Sequence, residues 1–126
     1  MKSIGMLMIP TLVLYGADVT GTWKGSIDVA DPANGEKIST EVKASFDQKA
    51  NVVSGKIGRA QDHQPETIRN GKLDGNTLIF EVQPPEATTP MKFILVLVND
   101  DRIEGDMKGA IDVGAVSGKV VLSRLK

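Results

Sequence analysis

The sequence contains no cysteine, one tryptophan and one histidine, and only 4% of its residues are aromatic. Without cysteine the chain has no disulfide bridge, no thiol nucleophile and no lipoprotein acylation site. So few aromatic side chains argue against a stacking surface for bases or sugars. Basic and acidic residues nearly balance, 15 against 16, and the two signs are interspersed. Because the basic stripe that a phosphate backbone requires is missing, we expect no nucleic-acid partner, and no cofactor is indicated.

Residues 1–17 have the composition of a secretory signal peptide. Lys2 provides a positive start, and Ile4 to Tyr15 are almost wholly apolar. This run is shorter than the ~20 residues that span a bilayer. Tyr15 stands where cleavage would require a small residue, so a retained anchor or a packed N-terminal helix is the alternative. We predict a secreted or periplasmic protein, not stably inserted in a membrane after processing, with residues 18–126 as its single domain.

Apolar and polar residues alternate with a two-residue period through the rest of the chain, and no stretch keeps a helical period. The alternation is clearest between Lys37 and Asp47, where Val42, Ala44 and Phe46 share one face. Strands with one apolar and one wet face are typical of antiparallel sheets. Eight strands are predicted, at residues 19–30, 36–47, 51–59, 66–74, 77–83, 91–99, 102–111 and 115–125.

The connections between the predicted strands alternate in length. The first, third and fifth are long and contain proline or glycine, whereas the second, fourth and sixth are short turns such as Asp74-Gly75-Asn76. In an up-and-down barrel the odd and even connections gather at opposite ends. The sequence therefore predicts an all-β fold, an eight-stranded antiparallel up-and-down barrel with an open mouth and a tightly turned base. Small inward residues such as Gly25 and Ala44 allow either a hollow or a filled interior.

Glycine recurs on the inward faces of the predicted strands, with a long or apolar side chain two residues before it and an apolar one two residues after. The four positions are Gly55, Gly71, Gly105 and Gly118. Inward glycines let strands bend and coil tightly, as a small barrel requires. None of them opens a helix, which excludes a nucleotide-binding loop.

The first and last predicted strands carry a characteristic pair. Gly21-Thr22-Trp23 stands on the first strand, and Arg124 shares a face of the last strand with Leu122. This combination resembles the signature of the calycin superfamily, which includes lipocalins, fatty-acid-binding proteins and avidins. The resemblance implies that Trp23 closes the base of the barrel and that the Arg124 guanidinium packs across its indole. It implies a small secreted lipocalin-like domain, but not biotin binding, because the further tryptophans of an avidin site are absent.

Several residues are candidates for binding a small amphipathic or hydrophobic ligand through the mouth. By parity Arg59 and Arg69 face inward near the mouth, where two guanidiniums can hold a carboxylate or phosphate head group. The competing interpretation is that both side chains reach water or pair with Glu66 and Asp62. The residues predicted to wall the cavity are Phe46, Phe80, Phe93 and Leu95.

The sequence assembles no catalytic set. His63 lies beside Asp62 in a predicted loop, but there is neither a second histidine nor a cysteine to complete a zinc site. No serine stands in a nucleophile elbow. We therefore predict a non-enzymatic protein with no catalytic residue and no metal site. An enzyme of unknown type is the third of the three functions considered.

The sixth predicted strand is apolar on both faces. Its outward residues Ile94, Val96 and Val98, together with Ile79 on the neighbouring strand, would form an apolar patch of a kind that soluble monomers avoid. The patch is interpreted as a homodimer face, a face for another protein or the docking site of a retained N-terminal segment. Ordinary strand propensity is the alternative explanation. The second candidate function is accordingly an interaction or inhibitor module acting through the outer face of strands 77–98 or through the mouth loops.

Overall fold

A computed structural model describes residues 18–30, 34–61, 63–85, 87–111 and 114–125. Within these ranges the chain forms strands and no helix. The strands are β1 (Gly21–Ala30), β2 (Lys37–Lys49), β3 (Val52–Arg59), β4 (Glu66–Thr67), β5 (Arg69–Asp74), β6 (Thr77–Val82), β7 (Ala87–Asn99), β8 (Arg102–Ile111) and β9 (Gly114–Arg124). The predicted leader, residues 1–17, lies outside the described residues, as does Asp62.

The strands form one antiparallel sheet that closes on itself. Each long strand pairs with the next long strand along the chain, and β9 returns to pair with β1. The two-residue β4 is an extra strand that pairs with β3. This closed antiparallel order confirms the predicted eight-stranded up-and-down barrel. It forms because the residues of each strand alternate between a polar outer face and an apolar inner face.

The fourth predicted strand, residues 66–74, is divided in two. Ile68 lies between β4 and β5, is buried, and donates its amide hydrogen to the carbonyl oxygen of Gly55 at 2.9 Å. Asn70 has a φ of 55°, and the register between β5 and β6 shifts between Arg69 and Lys72. Such a bulge resets the alternation of faces along a strand. Alternate residues between 66 and 74 therefore do not all face the same side of the sheet, and an assignment of faces that treats the segment as one regular strand is wrong.

The inward side chains pack into one apolar core. Of the residues that the structure describes, no polar or charged one is buried. The largest fully buried side chains are Trp23, Phe80, Leu78, Leu95, Ile103, Leu122, Val19 and Val120. The ring of Phe80 stacks on that of Phe93 with centroids 4.7 Å apart and touches Phe46 at 5.7 Å. One stacked and one tilted aromatic contact thus join β2, β6 and β7 across the interior.

Gly55 shows why glycine occupies an inward position on β3. It pairs with Phe46 on β2 and has a φ of 146°. A Cβ atom at Gly55 would lie 1.9 Å from the carbonyl oxygen of Ser45. The two strands can approach and coil here only because this residue has no side chain.

Candidate functional site

Trp23 and Arg124 close the base of the barrel. They pair across β1 and β9, and the guanidinium carbon lies 4.3 Å from the centroid of the indole ring. Trp23 is fully buried, and its Nε1 donates a hydrogen bond to the carbonyl oxygen of Val19 at 2.9 Å. The stacked pair that the sequence predicts is present, and it leaves no opening at this position.

Arg124 also ties together two segments of backbone at the base. Its Nη1 donates to the carbonyl oxygen of Thr20 at 2.7 Å and its Nη2 to that of Asp18 at 2.8 Å. Its Nε donates to the carbonyl oxygen of Asp100 in the β7–β8 turn at 2.9 Å. A guanidinium used in this way is a structural clamp. Open space lies instead at the opposite end of the barrel.

The mouth of the barrel holds a solvent-open cavity of about 740 Å³. One wall consists of apolar residues from β1, β2 and β3, namely Ile27, Val29, Val42 and Ile57. The other wall consists of apolar residues from β6 to β9, namely Val82, Met91, Phe93, Met107 and Val116. The size and the apolar lining are those of pockets that bind small molecules.

Five polar residues lie at the rim of this cavity: Thr40, Arg59, His63, Gln64 and Glu66. Arg59 is paired with Val42 on β2, and Glu66 is paired with Ile57 on β3. Both partners are buried on the inner face, so the two charged residues also belong to that face. The register thus places Arg59 inward, at the exposed end of β3, as its parity predicts.

Arg69 lies on the opposite face. It pairs with Glu81 on β6, which stands between two buried residues and therefore points outward. Arg69 is exposed and does not line the cavity. The prediction that it faces inward beside Arg59 is wrong, because the bulge at Asn70 reverses the parity of the residues that precede it.

The four residues predicted to wall the cavity occupy two levels of the barrel. Phe93 lines the cavity. Phe46, Phe80 and Leu95 are buried in the packed core and do not line it. The interior is therefore filled towards the base and hollow towards the mouth, where the sequence had left both outcomes open.

Sequence reasoning did not assign most of the lining to the site. The two-residue alternation places Met91, Met107 and Val116 on the inward faces of their strands, but nothing in the sequence separates these cavity-lining residues from the core residues. They lie in the halves of β7, β8 and β9 that are nearer the mouth. The signal that identifies them is the two-residue alternation, applied only to the strand ends beside the odd-numbered connections, because those ends lie at the mouth.

The apolar patch predicted outside the barrel is present. Ile94 and Val96 are 45% exposed and Val98 is 54% exposed, while Ile79 is half-buried and pairs with Ile94. These four residues are called the outer patch here. They lie on the outer surface of β6 and β7, away from the cavity.

The rim offers no set of metal ligands. Across the ranges that the structure covers, no group of three or more His, Cys, Asp or Glu residues is placed to hold a metal ion. In the same part of the chain, no helix has the length and the apolar character to cross a membrane. His63 stands at the rim, and its neighbour Asp62 lies outside the described residues.

No protein-family model, curated protein or solved structure matches this chain. The cavity and its rim are therefore the features of this chain that indicate a function.

Proposed function

We propose that the protein is a secreted, lipocalin-like binding protein that takes a small amphipathic ligand into the mouth of its barrel. The observation that carries this proposal is the apolar cavity of about 740 Å³ with Arg59 on its rim. The apolar walls remove the body of a ligand from water, and the guanidinium offers paired donors to a carboxylate or phosphate. The ligand class is thus an apolar body with an anionic head group.

Membership of the calycin superfamily is part of the same proposal. It is supported by the closed eight-stranded barrel and by the stacking of Arg124 on Trp23. Secretion is supported by the apolar run that follows Lys2 in the sequence. The proposed function is binding without catalysis, because a lipocalin-like protein needs only a cavity that holds its ligand and no side chain that reacts with it.

Glu66 gives the rim a further property. It stands opposite Ile57, and Arg59 is the next inward residue along β3, so the two charges are diagonal neighbours on the inner face. A bound anion would meet attraction from Arg59 and repulsion from Glu66. The pair therefore favours a zwitterionic or singly charged head group over one that carries several negative charges.

The test is a fluorescence titration with 8-anilinonaphthalene-1-sulfonate, which combines an aromatic body with one sulfonate. We expect saturable binding with one site per chain. Arg59→Gln should weaken it by about 10-fold, the equivalent of one charge-assisted hydrogen bond. Arg69→Gln is the matched control, because it removes the same charge from the outer face, and it should change the affinity by less than about twofold. Equal losses in the two variants would assign binding to net charge and contradict the proposal.

A second pair of variants tests whether the ligand enters the cavity. Val116 lines it, whereas the adjacent Ala115 is exposed on the opposite face of β9. Val116→Trp should fill the mouth and abolish probe binding, and Ala115→Trp should leave binding intact. Binding that survives Val116→Trp would show that the probe sits elsewhere on the protein.

A further inference from the structure

The sulfur atoms of the barrel domain are confined to the wall of the cavity. The sequence has five methionines and no cysteine, and only Met91 and Met107 lie within residues 18–126. Both line the cavity, Met91 from β7 and Met107 from β8, and they are 9% and 7% exposed. Each methionine therefore packs against the barrel on most sides and borders solvent-open space on the rest.

Gly109 on β8 provides the space in which the Met91 thioether lies. A Cβ atom at Gly109 would overlap the Sδ of Met91. The φ of Gly109 is not positive, so the backbone there does not require glycine, and the space taken by the sulfur does. Gly109 follows Met107 by two residues and shares its face of β8. The two methionines thus border the same part of the inner surface.

The wall around these two sulfurs is apolar. Val82 is paired with Met91, and Phe93 is paired with Met107. Neither neighbour carries a hydrogen-bond donor on its side chain. The polar residues of the rim come from the other wall, from β2, β3, β4 and the connection between β3 and β4. An oxygen atom added to either sulfur would therefore lack a donor in its own wall and would project into the cavity.

We propose that Met91 and Met107 are oxidation sites, and that their sulfoxides weaken the binding of the apolar body of a ligand. A lone pair of each thioether attacks one oxygen of hydrogen peroxide, and the S–O bond forms as the O–O bond breaks. The transferred oxygen gives its proton to the departing hydroxide, which leaves as water. The sulfur loses the two electrons that the peroxide gains.

The modification is reversible, since thiol-dependent sulfoxide reductases remove the oxygen and restore the thioether. Ligand and oxidant compete for one surface, because a ligand that fills the cavity covers the wall from which both sulfurs are reached. The effect on affinity rests on the proposed binding function, whereas the assignment of the two oxidation sites does not.

The first test locates the oxidation. The full chain is treated with hydrogen peroxide, and each methionine is followed by peptide mapping with mass spectrometry. The comparison protein combines Met91→Leu, Met107→Leu and Leu95→Met, which moves the thioether along β7 to a position that is fully buried in the filled part of the barrel. Met91 and Met107 should be oxidised at least about 10-fold faster than the methionine introduced at position 95. Equal rates in the two folded proteins would overturn the assignment.

Gly109→Ala tests the place of the Met91 sulfur. The added methyl group should push the flexible thioether further into the cavity and raise its oxidation rate several-fold. Circular dichroism confirms that the variant is folded. An unchanged rate at Met91 would contradict the seat on Gly109 and the route of the oxidant through the cavity.

The second test measures the effect on binding with 8-anilinonaphthalene-1-sulfonate. Peroxide should weaken probe binding by about 10-fold, the effect of placing unpaired polar groups in an apolar wall, and the two types of methionine sulfoxide reductase together should restore it. The variant that combines Met91→Leu with Met107→Leu is compared with its own untreated sample, and its affinity should change by less than about twofold. A saturating concentration of probe should slow the oxidation of both methionines several-fold.

Two results would overturn the effect on binding. One is complete oxidation of both methionines with no change in probe affinity. The other is an equal loss of affinity in the leucine variant, which would assign the loss to a different residue. A protein that binds no probe before oxidation would contradict the proposed function itself, while the oxidation rates at Met91 and Met107 would still decide whether these are the modified sites.

Discussion

Gly21 provides the space through which Arg124 reaches the backbone at the base of the barrel. A Cβ atom at Gly21 would lie 3.2 Å from Nη1 of Arg124, and the φ of Gly21 is 134°. The glycine of the Gly-x-Trp sequence is thus explained by the guanidinium that passes it, and not by a turn. Three elements of the pattern, the glycine, the indole and the guanidinium, form one packing unit.

Arg124→Lys should lower the free energy of unfolding by about 2–3 kcal/mol, because it removes charge-assisted hydrogen bonds to backbone carbonyls that a lysine cannot reproduce together. The measurement is urea denaturation followed by Trp23 fluorescence. Arg102→Lys is the control at the same end of the barrel. Arg102 is exposed and bonded to Glu104, so that variant should cost less than about 1 kcal/mol. Equal losses of unfolding free energy in the two variants would show that the hydrogen bonds from Arg124 to the backbone add no stability.

Gly55→Ala should be severely destabilising. Its Cβ would lie 1.9 Å from the carbonyl oxygen of Ser45, and backbone cannot yield as a flexible side chain does. Moving two paired strands apart should cost about 3 kcal/mol or more, measured as the midpoint shift in urea. Gly75→Ala is the comparison, because Gly75 has a φ of 62° but nothing within 4 Å of its Cβ position. Gly75→Ala should lower the free energy of unfolding by about 1 kcal/mol, because it only places a residue with a side chain at a positive φ.

Leu95→Ala and Val96→Ala compare the two faces of one strand. Leu95 is fully buried, whereas Val96 is 45% exposed. Leu95→Ala leaves a cavity in the filled half of the barrel and should cost about 2–5 kcal/mol. Val96→Ala should cost about 0.5 kcal/mol or less in dilute protein. A small loss for Leu95→Ala would mean that the core collapses around the deletion, and thermal unfolding of both variants would reveal it.

Asn70 should accept glycine but not a β-branched residue. Its φ of 55° is readily adopted by glycine and tolerated by asparagine, while valine is strained there. We expect Asn70→Gly to be close to neutral and Asn70→Val to cost about 1–3 kcal/mol in urea. A neutral Asn70→Val would indicate that the bulge can shift along β5. Nuclear magnetic resonance of the β5–β6 amides would then show a changed register.

The barrel could be predicted because nearly every strand has one wet face and one apolar face. Lys37 to Asp47 display this alternation without interruption, and β2 follows it. The stacking of Arg124 on Trp23 also could be predicted, from a resemblance carried by a few residues and from the parity of the last strand. At these positions the side-chain orientation that the sequence alternation predicts is the one that the closed barrel requires.

Arg69 could not be placed from the sequence, since one residue in an unusual backbone conformation reverses the face of its neighbours. Asparagine adopts positive φ more readily than most residues, but it is also common in ordinary turns, so Asn70 alone does not predict a bulge. Ile68 conceals the interruption, because an apolar residue there fits a regular strand equally well.

The division of the interior into a filled and a hollow part could not be predicted either, for a different reason. Phe80 and Phe93 have the same inward parity, and only the three-dimensional structure shows that Phe93 borders the cavity whereas Phe80 lies in the packed core.

The separation of a filled half from a hollow half has a consequence for how this chain can change over time. The side chains near Trp23 belong to the packed core, so substitutions there mainly lower the stability of the fold. Residues around the mouth, such as Val116 and Gln64, border open space on one side, so a change of side-chain size there has room to be accommodated. Under the binding function proposed above, single substitutions at the mouth can therefore change which ligand is preferred while the packing at the base, and with it the fold, stays intact.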